Sequence, residues 1–416
     1  MSDVFERLID SVLEHKNREV REIVENGALY DNVAREVRGR TLRVGDKWLV
    51  DFASCNYLGF DLRPEIIASI LPEVERWGTH PSWARMCCSP ELYELVEQEL
   101  AALLGVETTL LLPTISLVAV GLIPAITGPG AVIFADKSVH KVNHDGCRLA
   151  RDQGAKLESF RNDELEGLER ALTEHAAAPV RLIVIDGVLS VTGRTPDLPR
   201  VVELAKQHDA IVYIDDAHGF GILGEAPSPE RPYGRRGNGV VRHFGLSYDN
   251  VLYVAGLSKA YSSLGAFVAC SKRLKHYLKC TVTSYLVSGP VPTAALATAL
   301  AGLRLNALEG DQLRDKIYAY ATAIRDAYRR SGIETDNDHG FPIVSAYVGS
   351  NERVLRGGQL LFQRGIQLTL QGYPLVPRGR GVLRATPTAA NTWSEVEQLT
   401  RAMAEVHELL QAEPGA

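Results

Sequence analysis

Residues 211–221 read IVYIDDAHGFG, an apolar run that ends abruptly in two acids and a histidine. Four consecutive apolar residues, three of them β-branched, predict a strand that is buried on both faces, as in a parallel sheet. Ligands of open α/β sheets bind beyond the carboxyl ends of the strands. We therefore expect Asp215 and His218 to lie at a ligand-binding edge.

Similar short apolar runs occur on both sides of this stretch, at residues 109–112, 131–134, 182–185 and 251–254. Amphipathic segments separate them, and we predict helices at residues 90–104, 164–174 and 198–208. Strand and helix repeated in this way indicate an α/β fold. The run at 251–254 leads into Ser258-Lys259, so a lysine is expected at the same edge as Asp215.

The two ends of the chain have different patterns. An amphipathic helix is predicted within residues 3–25 and a hairpin at residues 41–52. After residue 289 we expect a smaller α+β domain with helices at 292–305, 312–331, 350–364 and 394–411 and strands at 343–348 and 366–370. The predicted organisation is 1–50, a helix and hairpin segment, 51–289, a large domain, and 290–416, a small C-terminal domain. Residues 226–238 are predicted to form an exposed loop.

The composition of the 416 residues argues against several functions. A net charge of −6 gives no general attraction to nucleic acid or anionic membranes. The chain has no apolar run long enough to span a membrane, and its beginning lacks the pattern of a signal peptide. Six cysteines without metal-site spacing predict free thiols, no metal and a cytoplasmic protein.

An acid, a histidine and a lysine at adjacent strand ends suit pyridoxal 5'-phosphate (PLP). The lysine amine forms a Schiff base with the cofactor aldehyde, and a carboxylate beside the pyridine nitrogen keeps that nitrogen protonated. Asp215-Asp216-Ala217-His218 alone is also compatible with surface acids that close a strand. The lysine at the next strand end makes the PLP interpretation much more specific.

Several motifs in one order then resemble a known family. They are residues 51–59 (DFASCNYLG), 160–163 (FRND), 215–221 (DDAHGFG), 258–260 (SKA) and 384–387 (RATP). From about residue 40 to its end, the chain resembles the α-oxoamine synthases of the fold-type I PLP-dependent transferases. The resemblance implies a mainly parallel, seven-stranded sheet and a homodimer. It also implies an acyltransferase that condenses an amino acid with an acyl thioester, from coenzyme A or an acyl carrier protein, with decarboxylation to an α-aminoketone.

Position by position, the resemblance implies catalytic roles for four residues. Lys259 matches the Schiff-base lysine that also removes the substrate α-proton. Asp215 matches the partner of the ring nitrogen, and His218 lies near the ring phenolate oxygen. His140 matches the histidine that stacks on the ring. Without the resemblance, His140 would be interpreted as a surface histidine.

Further cofactor contacts are implied around the phosphate. Thr114 and the amides of Ile115 and Ser116 match the phosphate-binding turn at a helix N-terminus, although Thr114 or Ser116 could equally be a simple helix cap. Ser258 is a second donor. Ser288 matches a contact lent by the neighbouring subunit. The resemblance also implies that Ser190 lines the cofactor.

The substrate side departs from the family pattern. Asn56 and Tyr57 match residues near the mouth of the active site, and Arg384 matches the arginine that grips the amino-acid carboxylate. Arg85 is kept from a glycine- and serine-rich stretch that here reads GTHPSWAR over residues 78–85. These departures leave the identity of both substrates open.

Two alternatives remain. Transamination or C–C bond cleavage would use the same cofactor core on an amino acid without any thioester. A non-catalytic regulator with a PLP fold would need an added DNA-binding module, and no basic or helix-turn-helix-like module precedes residue 40. The arginines of the loop at 226–238, among them Arg231, Arg235 and Arg236, either meet a thioester carrier or are simply solvated.

Overall fold

The computed structural model describes residues 3–13 and 31–413, and the side chains of residues 12 and 13 are not described. These residues form two compact units. Unit 1 contains the described residues within Met1–Cys55, Val191–Gly193 and Ile317–Ala416, and unit 2 contains Asn56–Ser190 and Arg194–Lys316. The segments 1–50, 51–289 and 290–416 stay a prediction about folding domains.

Unit 2 is built on a sheet of seven strands in the order β4-β10-β9-β8-β7-β5-β6. Strands β5 to β9 pair in parallel, whereas β10 is antiparallel to both β4 and β9. This confirms the predicted α/β fold with a mainly parallel sheet. The strands are β4 (Thr108–Leu112), β5 (Val132–Asp136), β6 (Lys156–Phe160), β7 (Arg181–Asp186), β8 (Ile211–Asp215), β9 (Val251–Gly256) and β10 (Ala266–Cys270).

Helices connect these strands and supply the other half of the core. Leu122, Ile123 and Cys147 from two of the helices pack with strand residues such as Leu182 and Val254. The helices are α2 (Pro64–Trp77), α3 (Glu91–Leu104), α4 (Ile115–Ile126), α5 (Lys141–Asp152), α6 (Leu165–Glu174), α7 (Leu198–Gln207), α8 (Val240–His243), α9 (Lys272–Thr281) and α10 (Thr283–Leu286). A short 3₁₀ helix covers Phe60–Leu62.

Unit 1 contains two small sheets. The first has the order β1-β2-β3-β12 and the second the order β11-β14-β13. The strands are β1 (Ala34–Arg38), β2 (Thr41–Val44), β3 (Lys47–Asp51), β11 (Val344–Gly349), β12 (Ile366–Gln367), β13 (Thr369–Gln371) and β14 (Gly381–Ala385), and the helices are α1 (Asp3–Leu13), α12 (Asn351–Gln363) and α13 (Trp393–Ala412). The hairpin prediction is confirmed by the antiparallel pair β2 and β3. The rest of the predicted helix at 3–25 lies outside the described residues.

The prediction of two helices at 292–305 and 312–331 is wrong, because one helix, α11, runs without interruption from Thr293 to Arg330. Gly310 stands in its middle. A Cβ at this position would lie 2.1 Å from Oδ1 of Asn306, so the glycine provides close packing instead of a break. The prediction of a single strand at 366–370 is also wrong. This segment forms two short strands, β12 and β13, which pair with different strands.

The loop at 226–238 is only partly exposed. Arg231 forms ion pairs of 3.3 and 3.2 Å with Asp311 and Asp315 on α11. Asn238 is fully buried and donates to Glu225 at 2.8 Å. Over the described ranges, no helix is both long enough and apolar enough to cross a membrane.

Candidate active site

Three parallel strands of unit 2 end in buried carboxylates at one edge of the sheet. Asp136, Asp186 and Asp215 are the last residues of β5, β7 and β8, and at most 5% of any of them is exposed. The strand register sets Asp186 directly beside Asp215. The sheet therefore concentrates acid groups at the edge where a ligand is expected.

The Asp215 carboxylate is held on both oxygens. Its Oδ1 accepts a hydrogen bond from the amide of Ala217 at 3.1 Å, and its Oδ2 accepts one from Nδ2 of Asn143 at 2.8 Å. Asn143 is fully buried, and its Nδ2 also donates to Oδ1 of Asp186 at 3.2 Å. The Asp215 carboxylate, which is predicted to pair with the cofactor ring, is thus held in place by the side-chain amide of Asn143.

His140 stands at the start of α5, next to this carboxylate pair. Its backbone amide donates to Oδ2 of Asp186 at 3.0 Å, and its Nδ1 accepts a long hydrogen bond of 3.4 Å from the amide of Val142. Desolvation lowers the pKa of His140, with Asp215 opposing this shift and the charge of Lys259 adding to it. The residue as a whole is nevertheless exposed. The lowered pKa favours the neutral imidazole, and because Nδ1 accepts from Val142, the proton of that neutral form lies on Nε2.

Lys259 follows β9 in a loop that folds back on itself. The amide of Leu257 donates to the carbonyl of Gly265 at 2.8 Å, and the amide of Ser262 donates to the carbonyl of Lys259 at 3.0 Å. Lys259 is partly buried. Its charge acts on both His140 and Asp186. The structure thus brings Lys259, His140 and Asp215 together, as the sequence predicted.

The N-terminus of α4 lies beside the strand end that leads to Lys259. Thr114 caps this helix by accepting a hydrogen bond from the amide of Leu117 at 3.2 Å, and the amides of Ile115 and Ser116 follow it. A Cβ added to Gly256 would lie 3.7 Å from both the Cβ of Ile115 and the Oγ of Ser258. A helix N-terminus and a serine hydroxyl therefore flank one glycine, an arrangement that suits a phosphate group.

His218 is buried and makes a specific contact. Its Nδ1 lies 2.8 Å from the phenol oxygen of Tyr57, which is itself fully buried. Tyr57 was predicted to lie near the mouth of the site. In unit 2 it supports His218 from the interior.

Three other residues that were predicted to contact the cofactor or the substrate are Ser190, Asn56 and Ser288. Ser190 is partly buried after β7. Asn56 donates to Oδ2 of Asp61 at 3.1 Å within a turn, and Ser288 donates to the carbonyl of Gly289 at 3.2 Å. Their roles toward a ligand stay predictions.

Arg85 lies in a buried ion-pair network. Its guanidinium donates to Oε1 of Glu97 at 2.9 Å and to the carbonyl of Leu111 at 2.6 Å, and it stacks 3.9 Å above the ring of Tyr93. Lys275 completes the network with a 2.7 Å contact to Glu97. These contacts give Arg85 a structural task, and its role in substrate binding stays a prediction.

Arg384 belongs to unit 1 and is almost completely buried on β14. Its Nη2 lies 3.4 Å from Oγ1 of Thr369 and 3.8 Å from the sulfur of Cys55. That this buried guanidinium binds the carboxylate of the amino-acid substrate stays a prediction.

The residues of unit 2 fit PLP. Asp215 supplies a buried acid for a ring nitrogen, Lys259 an amine for the aldehyde, and the start of α4 amide donors for the phosphate. A Cβ at Gly256 would be in van der Waals contact with both Ile115 and Ser258, so the glycine leaves that volume unfilled. Asp215 and Lys259 both lie close enough to act on the ring of His140, with opposite effects on its pKa.

Comparison with known proteins agrees with this geometry. Residues 49–403 match the family described as aminotransferase class I and II. The chain belongs to this family. It is 34% identical over 360 residues to 8-amino-7-oxononanoate synthase of Geobacter sulfurreducens, covering 86% of this chain and 88% of that protein. It is 30% identical over 400 residues to the protein of the same name from Exiguobacterium sibiricum, covering 96% and 99%.

Solved structures show the same fold. Serine palmitoyltransferase of Sphingomonas wittichii superposes with a TM-score of 0.88 at 22% identity, over 97% of this chain and 100% of that one. An 8-amino-7-oxononanoate synthase from Francisella tularensis superposes with a TM-score of 0.72 at 20% identity, over 87% and 98%. The resemblance to the α-oxoamine synthases is confirmed, and the chain is a PLP-dependent enzyme of this group.

Sequence reasoning missed Asn143 and Asp186. Asn143 lies one helical turn after His140 and so shares its face of α5, a spacing that would have identified it as a neighbour of the site. Asp186 ends the apolar run of β7 in the same way that Asp215 ends that of β8. Comparing the two strand ends would have found it.

Proposed function

We propose that this enzyme joins an amino acid to an acyl thioester at the edge formed by Lys259, Asp215 and His140. The product is an α-aminoketone, and the amino-acid carboxylate leaves as carbon dioxide. The observation that carries this proposal is the convergence of a lysine amine, a buried carboxylate and a neutral histidine at one strand edge. The named relatives support it, because 8-amino-7-oxononanoate is an aminoketone with its amino and oxo groups on neighbouring carbons.

When bound, PLP supplies an electron sink that stabilises negative charge on the amino-acid α-carbon. Lys259 accepts the α-proton, because its amine is the mobile base at this edge. Asp215 keeps a proton on the ring nitrogen, since a buried carboxylate favours a positive partner. His140 offers the N–H on Nε2 to an oxygen that gains negative charge.

The acyl carbon then forms a bond to the α-carbon, and the thiol leaves. Thr114, Ile115 and Ser116 anchor the phosphate at the start of α4, and Ser258 adds a hydroxyl. Arg384 binds the amino-acid carboxylate through its fork of donors. Asn56 and Arg85 contribute to the substrate side, and His218, held by Tyr57, contacts the ring oxygen.

The enzyme acts as a homodimer in the cytoplasm, in which Ser288 of one subunit reaches the phosphate in the other. Exposed apolar side chains on α1, namely Val4, Phe5, Leu8 and Ile9, support an association of chains. Free cysteines support a reducing compartment. Light scattering coupled to size-exclusion chromatography will give twice the chain mass. A monomer with full activity would contradict this part.

A product assay tests the reaction. Purified enzyme receives alanine, glycine or serine with acyl-coenzyme A of several chain lengths, and free thiol and carbon dioxide are measured together. We expect equal amounts of both with one amino acid, and loss of both in Lys259→Ala. Lys272→Ala, which removes an exposed lysine, is the matched control and retains activity. An oxo acid formed without any thioester would contradict acyl transfer.

A further inference from the structure

Asn143 connects two buried carboxylates on neighbouring strands. Its Nδ2 lies 2.8 Å from Oδ2 of Asp215 and 3.2 Å from Oδ1 of Asp186. One amide group can donate two hydrogens, so each carboxylate receives one. Asn143 is fully buried, and Asp186 and Asp215 are at least 95% buried. The amide and both carboxylates are therefore shielded from bulk solvent.

The orientation of the amide follows from its neighbours. With its nitrogen toward the carboxylates, Asn143 makes two hydrogen bonds and leaves its Oδ1 without a partner among the described residues. The reverse orientation would place that oxygen about 3 Å from two acceptor oxygens, which repel it. Asn143 is thus fixed as a double donor, even though one buried polar atom has to be left unpaired.

The two acids differ in their surroundings. Burial raises the pKa of Asp186 well above its ordinary value, and the negative charge of Asp215 raises it further. The amide of His140 and the charge of Lys259 oppose this shift. Asp136, Tyr213, Asp216 and the imidazole of His140 are further titratable groups that interact with the pair. Burial and the neighbouring carboxylates thus favour the protonated form of Asp186.

We propose that Asn143 is a positioning residue for the cofactor. By donating one hydrogen bond to Asp215 and one to Asp186, Asn143 holds the Asp215 carboxylate in place for the ring nitrogen. This inference rests on the proposed role of Asp215 as the partner of the ring nitrogen. Without the Asn143 donor, the Asp215 carboxylate keeps only the hydrogen bond from the amide of Ala217, and it would hold the proton on the ring nitrogen less firmly. A less positive ring withdraws fewer electrons from the nitrogen of Lys259, which then holds its proton to higher pH.

Two measurements on the cofactor-loaded protein test this without turnover. The first is the dissociation constant of PLP, obtained by titrating the cofactor-free protein. The second is the midpoint of the pH titration of the visible absorbance of PLP bound through Lys259. In Asn143→Leu we expect the dissociation constant to rise about tenfold, as for the loss of one hydrogen bond to a charged group. The midpoint should rise by about half a pH unit or more.

A second variant guards against misfolding. Asn143→Ser keeps a hydroxyl that is too short to reach both acids, and it should change both quantities in the same direction. Asn337→Leu is the matched control, because Asn337 in unit 1 is also a buried amide that donates twice, to the carbonyls of Phe341 and Ile343. It should lose stability with no change in the midpoint.

Asp215→Asn is the reference, and it separates two kinds of failure. If it shifts the midpoint and folded Asn143 variants do not, Asn143 is not a positioning residue. If Asp215→Asn itself leaves the midpoint and the dissociation constant unchanged, the proposed role of Asp215 fails first. We expect the midpoint and the dissociation constant to shift in the same direction in Asn143→Leu and Asn143→Ser. Both shifts should be smaller than those in Asp215→Asn.

Discussion

The phenol oxygen of Tyr57 lies 2.8 Å from Nδ1 of His218, and both side chains are buried. Tyr57→Phe removes this hydrogen bond while keeping the ring. We expect the free energy of unfolding to fall by about 1–2 kcal/mol, and PLP binding to weaken severalfold because His218 loses its support. Tyr261→Phe is the control, since its buried hydroxyl has no hydrogen-bond partner in the described part of the chain. Equal effects in both variants would contradict the role of Tyr57.

Asp216 follows Asp215 and is completely buried, with its Oδ2 accepting from the phenol of Tyr253 at 2.7 Å and the amide of Val240 at 2.9 Å. Burial raises the pKa of Asp216 to about 7. A raised pKa means that the folded state binds more protons, so the stabilisation is complete below the unfolded pKa of about 3.9 and is lost as the pH rises through 7.

Asp216→Asn removes this titration. Compared with the unaltered protein, the variant should gain up to about 1.4 kcal/mol in unfolding free energy for each pH unit between 5 and 7, and little more above that range. Denaturant unfolding at four pH values measures the difference. Parallel curves for the two proteins would show that Asp216 does not titrate in this range.

The N-terminus of α4 makes a separate prediction. Thr114→Val keeps the shape of the side chain but removes the acceptor for the amide of Leu117. We expect a loss of about 1 kcal/mol of stability, together with weaker PLP binding, and recovery of both in Thr114→Ser.

The control for this prediction is Ser271→Ala, which removes the cap of α9, where Ser271 accepts from the amide of Leu274 at 3.1 Å. Its stability should fall by a similar amount while its PLP dissociation constant stays the same. If both caps affect PLP binding equally, α4 is not a specific phosphate site.

Features of the site that follow from a local sequence pattern could be predicted, whereas contacts between residues far apart in the sequence could not. Lys259 and Asp215 were predictable, because strand ends carry ligand-binding residues in this fold class. His140 was predicted only from the resemblance to the α-oxoamine synthases. The pair formed by Asn143 and Asp215 was not predictable, because 72 residues separate them and only the strand order brings them together.

The strands that escaped prediction have a similar explanation. β6 is an edge strand whose sequence is KLESF, and polar residues are tolerated there because one edge of β6 has no neighbouring strand.

The long helix α11 was predicted as two helices, and the predicted gap between them contains Glu309-Gly310-Asp311. Asn306 fills the space beside that glycine, and such packing is not visible in a sequence.

The network around Arg85 predicts a large effect on stability. Arg85→Leu leaves Glu97 buried, with Lys275 as its remaining charged partner within residues 3–13 and 31–413. We expect a loss of about 3 kcal/mol in unfolding free energy. Arg76→Leu, which breaks the exposed pair with Glu91 at 2.9 Å, should cost less than about 1 kcal/mol. If Arg85→Leu is as stable as Arg76→Leu and only raises the KM for a substrate, Arg85 has the binding role predicted from the sequence.

If Lys259 carries the cofactor, chemical mapping will find PLP attached to this lysine. The PLP-loaded protein is reduced with borohydride, which makes the bond permanent, then digested and mapped by mass spectrometry. We expect one modified peptide, with the phosphopyridoxyl group on Lys259, and no such peptide from Lys259→Ala. Modification of a different lysine, or none in a protein that has bound PLP, would contradict attachment at Lys259.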